Sequence, residues 1–147
     1  MTNISLTPQK SKSSRKVLII GCGDIGQRLA YQLSFDEYQI TGVRRNCPPN
    51  RSYLHYFNCD ATASGALEPA LKEHFDVIVI TMTPGERSDA AYQRSYVDTC
   101  HNLVNSLGAL ALQPRLIIFV SSTAVYAQDD GSWVDEDSPT DPTNFSG

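Results

Sequence analysis

No apolar run in the 147 residues approaches the roughly 18 that a membrane-crossing helix requires, and no such span is expected. Metal-binding cysteine spacing is missing too. Cys22, Cys47, Cys59 and Cys100 form no CxxC pair, and the closest two, Cys47 and Cys59, stand 12 residues apart, so a zinc site is not expected. The basic excess of a general nucleic-acid binder is absent, since 12 Lys+Arg face 16 Asp+Glu and the net charge is −4. Nor does the start carry the apolar stretch of a secretory signal. The cysteines are therefore expected to be reduced thiols in a cytoplasmic protein.

Charge of one sign is missing locally at both ends. Residues 1–16 contain no acid and residues 129–141 no base. The first stretch, rich in Ser, Thr and Pro, reads as a solvated and disordered basic tail, with a targeting or nucleic-acid arm as the alternative. The whole chain is 41% hydrophobic, and residues 17–147 are long enough for one domain with a core.

Within that domain strand-like and helix-like segments alternate. Val17–Ile20 and Asp76–Thr81 are continuous apolar runs suited to strands buried on both faces. Gln39–Val43, Tyr53–Phe57 and Leu116–Val120 read as further strands, the last also buried. Ile25, Leu29, Ala30 and Leu33 repeat at helical spacing. A short helix is predicted over Glu68–His74, with Pro69 tolerated in its first turn. A helix of about 19 residues is predicted before Leu116, with Tyr96, Cys100, Leu103, Val104 and Leu107 as its apolar stripe and Gly108 as its stop. Five strands joined by helical connections predict an α/β fold with a doubly wound parallel sheet.

Gly21-Cys22-Gly23-Asp24-Ile25-Gly26 is a GxGxxG sequence directly after the first strand and opening a helix. Gly21 permits the tight turn, Gly23 lets backbone approach a pyrophosphate, and Gly26 lets helix pack closely on strand. The pyrophosphate would sit on free amides at the helix N-terminus, at Asp24 and Ile25. The alternative is a glycine-rich turn that binds nothing. An NAD site places a carboxylate at the end of the second strand, to bond the ribose 2′-OH. Here Arg44 and Arg45 follow Val43, 23 residues after Gly21. Their guanidinium forks match a 2′-phosphate, which favours NADP over NAD unless both are solvated loop arginines.

The segment Phe119-Val120-Ser121-Ser122-Thr123-Ala124-Val125-Tyr126 resembles the SS-x-x-VY stretch of extended short-chain dehydrogenases/reductases, the NAD-dependent epimerase/dehydratase family. Asn58-Cys59-Asp60-Ala61 is similar to that family's Asp-apolar pair, which meets the adenine. Thr81-Met82-Thr83 occupies the fourth-strand end that passes beside the cofactor, and Pro139-Thr140-Asp141-Pro142 matches the approach to the catalytic tyrosine. The resemblance covers residues 17–147. It implies a Rossmann-type NAD(P)-binding fold, Ser121 beside the cofactor and Ser122 as a catalytic hydroxyl. It also implies hydride transfer on a sugar nucleotide or similar hydroxyl substrate.

Two departures stand out. Extended members usually show GxxGxxG. Their chemistry also uses a Tyr-x-x-x-Lys pair shortly after the prolines, whereas here Phe145 or Ser146 stands at the tyrosine's spacing and no lysine follows. Loss of a positioned acid/base typically costs about 10²–10⁴ in rate. The chain is therefore expected to be the N-terminal cofactor half of a longer atypical member. A non-catalytic NAD(P)-binding sensor is the alternative. A sheet ending at its fifth strand would leave an open edge suited to a homodimer. For Ser122 the competing role is to end the strand by bonding nearby backbone. Asp135-Glu136-Asp137 reads as a solvated acidic face, and Trp133 as packing over the sheet edge or against a further lobe.

Overall fold

The computed structural model describes residues 14–128 and 130–147, so the predicted basic tail lies largely outside the described residues. Five strands form one parallel sheet: β1 (Arg15–Ile20), β2 (Tyr38–Arg44), β3 (His55–Asn58), β4 (Val77–Ile80) and β5 (Leu116–Phe119). Their order across the sheet is β3-β2-β1-β4-β5, the doubly wound arrangement. Chain order reverses at β1, which places the ends of β1, β2 and β4 side by side at the switch point where such sheets bind ligands.

The central strands β1 and β4 carry continuous apolar runs because both of their faces are covered. On one face Leu18, Ile20, Val43, Ile78 and Ile80 pack with Leu67, Leu71, Leu103 and Leu107 from the helices that follow β3 and β4. On the other, Val17, Ile19, Ile40 and Val79 pack with Ala30 of α1 (Asp24–Leu33) and with Leu54. Among the described residues no helix is long and apolar enough to cross a membrane.

Several boundaries move for identifiable reasons. β1 starts at Arg15, inside the stretch read as a tail, because Lys16 is held in register: its amide donates to Asp76 Oδ2 (2.8 Å) and its ammonium to Glu73 O (2.9 Å). The third strand begins at His55 rather than Tyr53, since Arg51 and Leu54 close a tight turn through mutual backbone bonds of 3.0 and 3.3 Å. The short helix α2 (Glu68–Leu71) has Pro69 in its first turn as predicted. It ends at Leu71, short of His74, which takes φ 57°.

The predicted 19-residue helix is three pieces: α3 (Asp89–Tyr92), a π-helical stretch Gln93–Asp98, and α4 (Thr99–Ala109). Gly108 does not stop it. Ala111 takes the left-handed position instead (φ 52°). The amide of Leu112 reaches Leu107 O (2.9 Å) and that of Ala111 reaches Gly108 O (3.1 Å). This is a Schellman closure, and its apolar contact comes from Leu107 and Leu112 in one core cluster. Val104, expected on the buried stripe, is exposed.

The largest correction is β5. Expected to be buried, its Leu116, Ile117, Ile118 and Phe119 are 42–48% exposed. It is an edge strand, bonded only to β4. Phe119 alone gains an aromatic neighbour, Tyr96, with ring centroids 5.7 Å apart. Trp133 packs over nothing and is 99% exposed.

Candidate functional site

The glycine turn is built from its hydrogen bonds. The amides of Gly21 and Cys22 both donate to Val43 O, at 3.0 and 2.9 Å, so the end of β2 fixes where the chain leaves β1. This forces φ +80° at Gly21, and a Cβ there would stand 2.8 Å from Met82 Sδ and 2.9 Å from Met82 Cα. Thr81, buried beside it, donates its hydroxyl to Gly21 O (2.9 Å) and locks the turn onto β4. Gly26 sits where a Cβ would be 2.9 Å from Ile19 Cγ2 and 3.2 Å from Thr81 Oγ1. Helix α1 therefore lies directly on β1.

Gly23 differs. A Cβ on it would meet only Gly21 O, at 3.8 Å, so no packing inside the protein demands its bareness. What it leaves open is the approach to its backbone from outside. Gly23 is the N-cap of α1 and no side chain caps the helix. The first-turn amides are consequently without protein partners at the positive end of the helix. Ile25, in that turn, is exposed, and Asp24 pairs with Arg28 (3.0 Å) along the outside of the helix.

A groove of about 850 Å³ runs over this turn, within the range of small-molecule and cofactor sites. The predicted residues Gly21, Gly23, Asp24, Ile25, Arg44, Arg45, Asp60, Ala61, Thr81, Met82 and Thr83 all line it. Arg44 Nη1 lies 3.4 Å from Cys22 O, and Arg45 O accepts from Asn58 Nδ2 (2.8 Å). Among the described residues the Arg28–Asp24 pair is the only salt bridge, so none of the groove arginines Arg44, Arg45 and Arg94 is in one. Asp60 Oδ1 accepts from the hydroxyl and the amide of Thr62 (2.8 and 3.0 Å). The Thr62 hydroxyl chiefly, then its amide and the Arg45 charge, hold this carboxyl below its ordinary range against a smaller opposing effect of burial.

Three predicted residues fall elsewhere. Gly26 packs inside, behind the turn. Ser121 and Ser122 stand past the end of β5 and do not line the groove. Ser122 Oγ accepts from the Ala124 amide (3.2 Å), capping a 3₁₀ turn over Thr123–Val125. Conversely Cys59, Thr62, Glu86, Ala91, Arg94 and Ser95 line the groove without having been singled out. Cys59 and Thr62 flank Asp60 and were available from that motif. Ala91, Arg94 and Ser95 recur at helical spacing along α3 and the π-helical stretch, with Ala91 and Ser95 buried and Arg94 exposed.

Cys22 is the buried residue inside the turn, and burial chiefly pushes its thiol up to about 11, with Arg44 opposing. Burial likewise raises Cys59 and Cys100. Against an ordinary thiol at 9.0, the thiolate fraction of Cys22 at neutral pH is about a hundredfold lower. Native Cys22 should therefore alkylate with iodoacetamide at least about a hundredfold more slowly than the urea-unfolded chain. Peptide mapping by mass spectrometry reads this directly, and equal rates would refute a buried Cys22.

The comparisons agree with this geometry. Residues 17–146 match the model of the NAD-dependent epimerase/dehydratase family. The protein YeeZ of Escherichia coli K12 is 34% identical over 145 residues, covering 90% of this chain and 49% of YeeZ. The chain thus spans about half the length of this curated relative. A solved structure from Methylobacillus flagellatus, described as of the NAD-dependent epimerase/dehydratase kind, is 33% identical with a TM-score of 0.71, over 91% of this chain and 46% of that one. The UDP-Glc/GlcNAc 4-epimerase of Campylobacter jejuni, 22% identical, shares the fold with a TM-score of 0.73, over 90% of this chain and 45% of that one. From the glycine turn, the five-strand order and a match over nearly the whole described sheet, the chain belongs to the NAD-dependent epimerase/dehydratase family.

Proposed function

We propose that this chain holds NADP in the groove and is the cofactor-binding part of an oxidoreductase acting on a hydroxyl-bearing substrate, a sugar nucleotide or a related compound. The observation that carries the reading is the pair Arg44 and Arg45, lining the groove at the end of β2 without a carboxylate partner. An NAD site would place an acid there. In this reading the uncapped amides of α1 take the pyrophosphate and Gly23 gives it room. Arg44 and Arg45 take the 2′-phosphate, while Asp60 and Ala61 border the adenine. Met82 and Thr83 line the path from the turn toward β5, with Ser121 beside the cofactor and Ser122 as the hydroxyl facing substrate. The bound nicotinamide supplies hydride transfer at the substrate carbon. Four free thiols fit a reducing, cytoplasmic setting, and the exposed β5 edge fits pairing with a second copy.

Titration calorimetry with NADP and NAD tests this. NADP should bind more tightly, and the Arg44→Ala/Arg45→Ala double variant should lose at least about tenfold in NADP affinity, since charge-assisted bonds contribute roughly 1.5–3 kcal/mol each. Tighter binding of NAD would overturn the choice of cofactor, and binding of neither would overturn dinucleotide binding. A second reading, a non-catalytic NAD(P)-binding regulator, is favoured by Phe145. It is one of the two residues, with Ser146, at the spacing of the family's tyrosine; its ring packs edge-on against Tyr92 with centroids 5.4 Å apart and offers no proton. Turnover of NADPH with any carbonyl substrate would refute that second reading.

A further inference from the structure

The turn between β1 and α1 needs glycine for its shape, and the same residues leave it loose. Gly21 carries no Cβ and Gly23 follows two residues on, so the peptide planes here rotate at little steric cost. Their orientation is set by one acceptor, the carbonyl oxygen of Gly21. It accepts from the Gly23 amide (2.6 Å), closing a three-residue turn over Cys22. It also accepts from the Thr81 hydroxyl (2.9 Å), so both lone pairs of the oxygen are used. The Gly23 carbonyl in turn accepts from the Gln27 amide (3.0 Å) and from Gln27 Nε2 (3.1 Å). Thr81, just past the end of β4, is thereby linked through the Gly21 and Gly23 carbonyls to the first turn of α1.

Thr81 is buried, and its hydroxyl has one proton to give. The bond to Gly21 O is the shorter of two approaches, Ile20 O being 3.4 Å away. The same oxygen lies against α1, since a Cβ on Gly26 would stand 3.2 Å from it. The residue itself is anchored, because its amide donates to Ile20 O (2.8 Å). Thr81 borders the groove, as do Met82 and Thr83 after it. A pyrophosphate oxygen only accepts, however, and could take this proton only by depriving Gly21 O of it. The hydroxyl therefore acts on a bound anion through the turn and not by touching it.

We propose that Thr81 is a positioning residue for the pyrophosphate: its hydroxyl, acting through Gly21 O, fixes the Gly23 peptide and holds the α1 amides of Asp24 and Ile25 in place before the ligand arrives. This rests on the reading that those amides take a pyrophosphate. Without the hydroxyl, Gly21 O keeps only the Gly23 amide, and its freed lone pair turns toward water in the groove. The glycine peptides then sample several orientations, and a ligand must order them as it binds, at a cost in affinity. That cost falls on ligands that carry a pyrophosphate and spares those that lack one.

Thr81→Ser and Thr81→Ala differ from each other by the hydroxyl alone, and calorimetry on both with ADP-ribose and with adenosine 2′-monophosphate tests the role. ADP-ribose carries the pyrophosphate. Adenosine 2′-monophosphate carries only the adenosine and the phosphate that Arg44 and Arg45 would take. Thr81→Ser should bind ADP-ribose within about twofold of the unaltered chain, and Thr81→Ala about threefold to tenfold more weakly, one hydrogen bond's worth. Adenosine 2′-monophosphate should change less than about twofold in either variant. Hydrogen exchange at the Gly23 amide, followed by NMR without ligand, should quicken in Thr81→Ala and not in Thr81→Ser. Equal losses of both ligands in Thr81→Ala would show that Thr81 serves the fold as a whole, and would overturn the proposal. Unchanged Gly23 exchange in Thr81→Ala would overturn it as well. If the unaltered chain binds ADP-ribose and the two variants bind it alike, the inference falls and the pyrophosphate reading stands. If the unaltered chain does not bind ADP-ribose, both fall.

Discussion

Gly21→Ala is expected to abolish nucleotide binding and to lower folding stability by about 2–5 kcal/mol. Two independent penalties combine. The residue sits at φ +80°, a conformation an alanine adopts only with strain, and the added Cβ would stand within 3 Å of Met82 Sδ, Cα and N. The methionine side chain can turn away, but its backbone cannot move without displacing β4, because the Thr81 amide is bonded to Ile20 O (2.8 Å) and the Thr81 hydroxyl to Gly21 O. Relief must instead come from the turn, which swings the Gly23 backbone and the α1 N-terminus out of the groove. Against a typical total of about 5–15 kcal/mol, the loss is large. Urea unfolding gives the stability, and calorimetry at a temperature where the variant remains folded gives the binding. Gly23→Ala is the control, since its Cβ meets no close atom. It should lose nucleotide with a smaller change in urea midpoint. Retained binding by Gly21→Ala would show that the turn tolerates displacement and is not the phosphate site.

The parts of this fold legible in the sequence are those fixed by local chemistry. Val17–Ile20 and Val77–Ile80 read as strands buried on both faces, and they are the sheet's centre. The glycine turn was legible because each glycine answers to a different short-range constraint. What was hidden depends on tertiary partners. Gly108 looked like a helix stop, but closure at Ala111 wins because it lets Leu112 join Leu107 in the core. The π-helical stretch has no sequence signature comparable to a cap. It is visible only in contacts such as Thr99 Oγ1 to Arg94 O (3.3 Å), and it brings Arg94 and Ser95 to the groove.

β5 shows the same limit most sharply, and it sets up the second large effect. Leu18→Ala should cost about 2–5 kcal/mol, whereas Ile118→Ala should cost less than about 1 kcal/mol. As sequence, the two residues are interchangeable, each being the second or third member of a continuous apolar strand. Leu18 is 0% exposed in the middle strand, with Ile78 paired to it and Leu71 and Leu103 in its cluster. Truncating it leaves a cavity that β1, bonded on both sides, cannot collapse to fill. Ile118, 43% exposed, pairs with Val79 on one side only, so its removal takes less apolar surface out of the core and opens no enclosed void. Urea midpoints of the two variants at equal protein concentration decide the matter. A cost for Ile118→Ala close to that of Leu18→Ala would mean that β5 is covered in solution, and a midpoint that rises with protein concentration would identify a second copy as the cover.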